Sequence, residues 1–223
     1  MRGARQRAVP ALGPPLRGDT RQRIGLLGGS FNPAHDGHRH ISLLALGRLR
    51  LAQVWWLVSP QNPLKPTAGM AALAERLAGA RAIARHPAIR VGDLERRLGT
   101  RHTADSLKAL RRRFPRARFV WLMGTDNLLQ LPRWRRWRTI LSTVPIAVFE
   151  RGSYVYMALA GQAGARFRSN QVREPRGLFG RSPPAWSLLR LQVHPASATA
   201  IRAARQQAAG GDGAPSATAR VWE

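Results

Sequence analysis

The stretch Gly28-Gly29-Ser30-Phe31-Asn32-Pro33-Ala34-His35-Asp36-Gly37-His38 concentrates residue types that suit one task, holding a phosphate. Glycines let the backbone approach a bulky anion, and Pro33 stiffens the turn. A helix that begins at the end of the stretch aims its free N–H groups and positive dipole end back at the loop. His35 and His38, spaced i and i+3 at the helix start, project from one face and can donate hydrogen bonds to phosphate oxygens. Asn32 carries a neutral amide, so no acid or metal role is assigned to it.

Other segments repeat parts of this chemistry. The run Ser59-Pro60-Gln61-Asn62-Pro63-Leu64-Lys65-Pro66 holds one of only two lysines in the chain, a point cation suited to clamping an anion. Gly124-Thr125-Asp126 follows an apolar run, where an acid beside a glycine either holds a ribose by its hydroxyls or caps a helix starting at Leu128. Arg151 stands directly after another apolar run, within reach of a nucleotide's phosphates or base. Ser197-Ala198-Thr199-Ala200-Ile201-Arg202 places hydroxyls, free N–H groups and a guanidinium in one helical first turn, a second oxyanion cradle. Thr100 or Thr103 reads as the cap of a helix bearing Leu107, Leu110 and Phe114.

The elements that must position these groups alternate along the chain. Ile24–Leu27, Val54–Val58, Ile89–Val91, Arg118–Met123, Val144–Phe149 and Trp186–Leu191 read as buried strands. Gly37–Leu51, Met70–Arg85 and the segment after Thr103 carry helical periodicity. Strand, helix and strand within so few residues is a βαβ unit, so the expected fold is α/β: a Rossmann-like, doubly wound, mainly parallel sheet with helices on both faces, in a single domain. In such sheets phosphate loops lie at the carboxyl ends of strands. Trp134 and Trp137, at i and i+3, are expected on one helical face, with one of them in the core. Residues 161–184 lack periodicity and read as a loop. Residues 1–20 are expected to form a disordered basic arm, 21–207 the folded domain, and 208–223 a disordered tail.

The first motif closely resembles the signature of the nucleotidylyltransferases that carry a His-x-Gly-His element, in particular the bacterial nicotinate-nucleotide adenylyltransferases. Ser30 stands where family members usually have Thr, and Asn32 where they usually have Asp. The resemblance implies adenylyl transfer from ATP to nicotinate mononucleotide, giving nicotinate adenine dinucleotide and pyrophosphate, with Mg²⁺ accompanying ATP. It implies that Gly28, Gly29, Ser30, Phe31, His35, His38, Gly124, Asp126, Arg151, Ser197, Thr199 and Arg202 bind ATP. Of these, His35, His38 and Arg202, together with Lys65, carry the catalytic charge stabilisation. Asn62, Lys65, His102, Thr103 and Trp134 fall to the mononucleotide: Thr103 matches the family's turn onto the pyridine nucleotide, His102 replaces an aromatic there, and Trp134 stacks on the nicotinate ring. No metal ligand set is assigned to the chain itself. Related transferases act on other phosphates, such as nicotinamide mononucleotide or phosphopantetheine.

Composition narrows the classes further. The chain has no cysteine, which removes disulfides and thiolate chemistry. No apolar run approaches the ~20 residues that span a bilayer, and no secretory signal is present, so a cytoplasmic location is expected. The formal charge of +26 suits phosphate polymers as well as small polyanions, which keeps a nucleic-acid-binding module as the non-enzyme reading. The near absence of lysine beside abundant Ala, Gly and Pro points instead to a coding-composition bias. A zinc enzyme built on His35 and His38 lacks a convincing third ligand. Spacing says nothing of oligomeric state.

Overall fold

The structure, a computed structural model, describes residue 14 and residues 21–60, 69–150 and 154–190. Six strands form one sheet in the order β3-β2-β1-β4-β5-β6: β1 (Arg23–Gly29), β2 (Gln53–Val58), β3 (Ile89–Gly92), β4 (Arg118–Gly124), β5 (Ile146–Phe149) and β6 (Trp186–Leu189). Every neighbouring pair is parallel. Such a sheet is covered on both faces, which is why β2 and β4 are continuous apolar runs without polar alternation.

Alternate residues serve two cores. Ile24, Leu26, Trp55, Leu57, Phe119 and Trp121 face one side, where they meet Leu94 of α3 (Leu94–Leu98), Leu107 and Leu110 of α4 (Thr103–Arg113) and Ile140 of α6 (Trp137–Thr143). Leu27, Val54, Trp56, Val58, Val120 and Leu122 face the other, against Ala45 of α1 (Asp36–Arg48) and Ala80 and Ala84 of α2 (Leu73–Ala84). The remaining helices are α5 (Thr125–Gln130), α7 (Val155–Ala160) and α8 (Gln162–Arg166).

Winding runs outward from β1 through β2 to β3, then returns to β4 on the other side of β1. The carboxyl ends of β1 and β4 therefore flank the topological switch point, the crevice where open α/β sheets take their ligands. Gly29 closes β1 and Gly124 closes β4, so the first motif and the Gly124–Asp126 segment border one crevice.

Several sequence expectations need correction. Residues 161–184 are not a plain loop: they hold α8 and short 3₁₀ turns at Arg168–Asn170 and Pro175–Gly180. Elements this short never display a full apolar period. α3 went unread for the same reason, and α7 lies in a stretch for which no element was expected. Neither Thr100 nor Thr103 caps α4. His102 is the N-cap, without a side-chain bond, and the Thr100 hydroxyl pairs with Ser106 at 2.8 Å. α5 starts at Thr125 with Gly124 as N-cap, so Asp126 lies inside the helix and is not its cap. Trp134 and Trp137 do not share a helical face. Trp134 ends a 3₁₀ turn in extended conformation, and Trp137 opens α6 in the core. The expected sixth strand ends at Leu189, and the expected helix at Ser197 lies outside the described residues.

Candidate active site

The β1 strand runs through Gly28 and Gly29, so the connecting loop starts only at Ser30. A side chain at Gly28 is excluded by packing: an added Cβ would stand 2.4 Å from Cη2 of Trp121. A bare backbone at Gly28 is expected to let an anion approach, and the indole on the neighbouring strand independently requires it.

The loop then makes one unusual turn. Phe31 holds a positive φ of 48°, a region that non-glycine residues enter only when their surroundings impose it. Its ring is buried and stacks on Trp56 at 5.0 Å, with the His38 ring 4.7 Å away on a tilted plane. His35 is the N-cap of α1, and the imidazoles of His35 and His38 lie 3.9 Å apart, centroid to centroid. The backbone N–H of His35 donates to Nδ1 of His38 at 3.3 Å. An accepting Nδ1 places the proton of a neutral imidazole on Nε2. Behind the ring, Trp56 Nε1 donates to Ser42 Oγ at 2.8 Å, and Ser42 Oγ donates to the His38 carbonyl at 2.8 Å.

Beneath this loop lies a residue the sequence reading passed over. Arg76 of α2 is buried, and among the described residues its guanidinium donates to main-chain carbonyls. Nη1 reaches Ser30 and Ser59 at 2.7 Å each, Nη2 reaches Pro60 at 2.8 Å, and Nε reaches Ala71 at 2.9 Å. Burial lowers its pKa from the free guanidinium value. The signal was available: position 76 falls on the stripe of Leu73, Leu77 and Ala80, where a solvent-facing arginine has no place. Asn32 ties the same segments from outside. Its Nδ2 donates to the Gly69 carbonyl at 2.9 Å, and its Oδ1 accepts from Ala71 N–H at 3.3 Å.

Glu95 is the second buried charge. Burial pushes its carboxyl up to about 7, against hydrogen bonds from the Ser59 and Ser106 hydroxyls that pull it down. It joins the end of β2 to the first turn of α4, the turn that presents His102 and Thr103, both half-buried. The Asp105 carboxylate in that turn pairs with Arg136 at 3.2 Å, which brings the α4 start beside the segment carrying Trp134. Trp134 is half-buried, its ring edge-on to Trp121 at 6.5 Å. Asp126 is half-buried beyond β4.

Gly28, Gly29, Ser30, Phe31, His35, His38, Gly124 and Asp126 are thus gathered at the switch point, with His102, Thr103 and Trp134 on elements joined at its β4 side. Asn62, Lys65, Arg151, Ser197, Thr199 and Arg202 lie outside the described residues. Among the described residues no helix is long and apolar enough to cross a membrane.

Comparison with known proteins agrees with this arrangement. The chain matches the cytidylyltransferase-like family over residues 26–204. It is 58% identical over 146 residues to a probable nicotinate-nucleotide adenylyltransferase of Parvibaculum lavamentivorans, covering 66% of this chain and 73% of that one. It is 53% identical over 180 residues to one of Cereibacter sphaeroides, covering 81% and 96%. Its fold is similar to the solved Plasmodium falciparum nicotinic acid mononucleotide adenylyltransferase complexed with NaAD, with a TM-score of 0.61 at 16% identity, covering 82% and 83% of the two chains. A glycine-containing loop with paired imidazoles at the switch point of a parallel sheet, and a match to these relatives over most of the chain, lead to one conclusion: the chain belongs to the cytidylyltransferase-like family and, within it, to the nicotinate-nucleotide adenylyltransferases.

Proposed function

We infer that this chain transfers the adenylyl group of ATP to nicotinate mononucleotide. A 5′-phosphate oxygen of the mononucleotide forms a bond to the α-phosphorus of ATP. The bond from that phosphorus to the oxygen bridging to the β-phosphate breaks, and pyrophosphate leaves with the electron pair. The nucleophile is already an anion, so the protein's work is positioning and charge stabilisation, with no covalent intermediate. The observation that carries this reading is the His35–His38 pair at the start of α1, its rings 3.9 Å apart, with Nδ1 of His38 engaged by the main chain.

In this reading His35 and His38 donate to the phosphate oxygens on which charge accumulates, and the N-terminus of α1 adds its dipole. Lys65, Arg151, Ser197, Thr199 and Arg202 are assigned to the remaining phosphate and nucleotide contacts by the family pattern. Asp126 takes the adenosine ribose. Trp134 offers an indole face to the pyridinium ring, and Asn62, His102 and Thr103 complete the mononucleotide side.

A Mg²⁺ ion accompanying ATP, as the family resemblance implies, would supply neutralisation of phosphate charge.

Pyrophosphate release measured with ATP and, in turn, nicotinate mononucleotide, nicotinamide mononucleotide and phosphopantetheine tests the proposal. The largest kcat/KM is expected with nicotinate mononucleotide. Absence of release with it, or faster turnover of either competitor, overturns the assignment.

A further inference from the structure

The four carbonyls that Arg76 collects belong to three segments: the loop leaving β1, the two residues that follow β2, and the residue two before α2. Among the described residues no carboxylate pairs with it. A buried guanidinium that gathers main-chain oxygens fixes peptide orientations, because its planar fork accepts little angular error. The peptide it holds at Ser30 leads directly into Phe31, whose left-handed backbone needs an external constraint to persist. Phe31 in turn lays its ring 4.7 Å from that of His38 and 5.0 Å from that of Trp56. A continuous path of contacts therefore runs from Arg76 through Ser30 and Phe31 to the imidazole of His38.

We propose that Arg76 is a positioning residue for adenylyl transfer: its fork on the Ser30, Ser59 and Pro60 carbonyls holds Phe31 in its strained turn and so aims His38 at the reacting phosphates. The role rests on the reaction assigned above and names a residue that acts in it without touching substrate. A lysine cannot replace it. An ammonium lacks the planar fork, and buried lysines lose their proton readily.

A double-mutant cycle on the full chain reads this path. Arg76→Gln and His38→Ala are made singly and together, with kcat and the KM for ATP and for nicotinate mononucleotide measured by pyrophosphate release, and folding followed by circular dichroism. Alone, Arg76→Gln is expected to lower kcat by about 100-fold, the scale of a misplaced catalytic group, with each KM changed less than about threefold. In the His38→Ala background the same change is expected to cost less than about threefold, because groups that act as one unit lose their effect together. Equal losses in both backgrounds, or wild-type kcat in Arg76→Gln, overturn the role. Where Arg76→Gln does not fold, Arg76→Lys takes its place in the cycle with the same expectation. If neither folds, Arg76 is a folding residue and the proposal fails. Wild-type protein that releases no pyrophosphate sinks the reaction itself, a result distinct from wild-type turnover with additive losses.

Discussion

The two sides of the crevice are built differently. On the β1–β2 side nearly every group is over-determined: His38 is held by a main-chain N–H, three aromatic rings and a serine–tryptophan relay, and the loop beneath it by a buried arginine. On the β4 side His102, Thr103, Asp126 and Trp134 sit half-buried, at the start of α4, in α5 and at the end of a 3₁₀ turn, and the α4 start and the Trp134 segment are held by a partly exposed ion pair and one edge-on aromatic contact. Under the proposed function the division suits two tasks. Stabilising charge on a transferring group depends on fixed dipoles and donors, so sub-ångström order matters there. Recognising a flat ring tolerates adjustment, and a surface that adapts can open for product release.

The largest break in this contrast comes from the rigid side. His38→Ala is expected to lower kcat by about 10²–10³, the usual loss of one transition-state donor, while circular dichroism stays unchanged. Pyrophosphate release checks it, and near-normal turnover would move the chemistry elsewhere.

Glu95 sharpens the comparison because it spans both sides. Its carboxyl lies at about 7 in the folded chain against 4.5 as the ordinary value, so folding favours the protonated form. That contribution is complete below pH 4.5 and is lost as the pH rises through 7. Above pH 8 the loss approaches about 3 kcal/mol. Glu95→Gln is therefore expected to raise the thermal midpoint relative to wild type at pH 8 and to match it near pH 4.5. Melting curves at the two pH values decide, and parallel pH dependence in both proteins would contradict the burial argument.

Gly28→Ala is expected to cost about 1–3 kcal/mol of stability, since its Cβ must displace a buried indole. Denaturant midpoints measure this. On the adaptable side, Trp134→Ala should raise the KM for nicotinate mononucleotide by about tenfold through loss of the ring contact, and leave the KM for ATP within twofold or so. A symmetrical rise in both constants would place Trp134 in the scaffold. The smallest effect is reserved for Arg136→Gln, where removing the partly exposed pair with Asp105 should shift stability by under about 1 kcal/mol, and less at high salt.

Much of this architecture was legible in local sequence. Continuous apolar runs such as Val54–Val58 and Phe119–Met123 announced buried parallel strands, because a strand covered on both faces has no polar alternation to lose. The eleven-residue motif marked the junction of β1 and α1 that carries the imidazole pair. Short helices escaped notice because five or six residues complete less than two turns. The cap readings at Thr103 and Asp126 failed because each helix starts one or more residues away from the side chain best suited to cap it.

What the chain alone determined is therefore the set of strands, the doubly wound class and the identity of the imidazole pair, all of them carried by periodicity or by neighbours within a few positions. The tertiary structure decided why Gly28 must be bare, which tryptophan enters the core, which carbonyls the Arg76 guanidinium gathers, and that Glu95 is buried. Those facts depend on partners distant in sequence: the Arg76 guanidinium and the Ser30 carbonyl are 46 residues apart. No local pattern encodes a hydrogen bond closed only when β1, β2 and α2 have packed together.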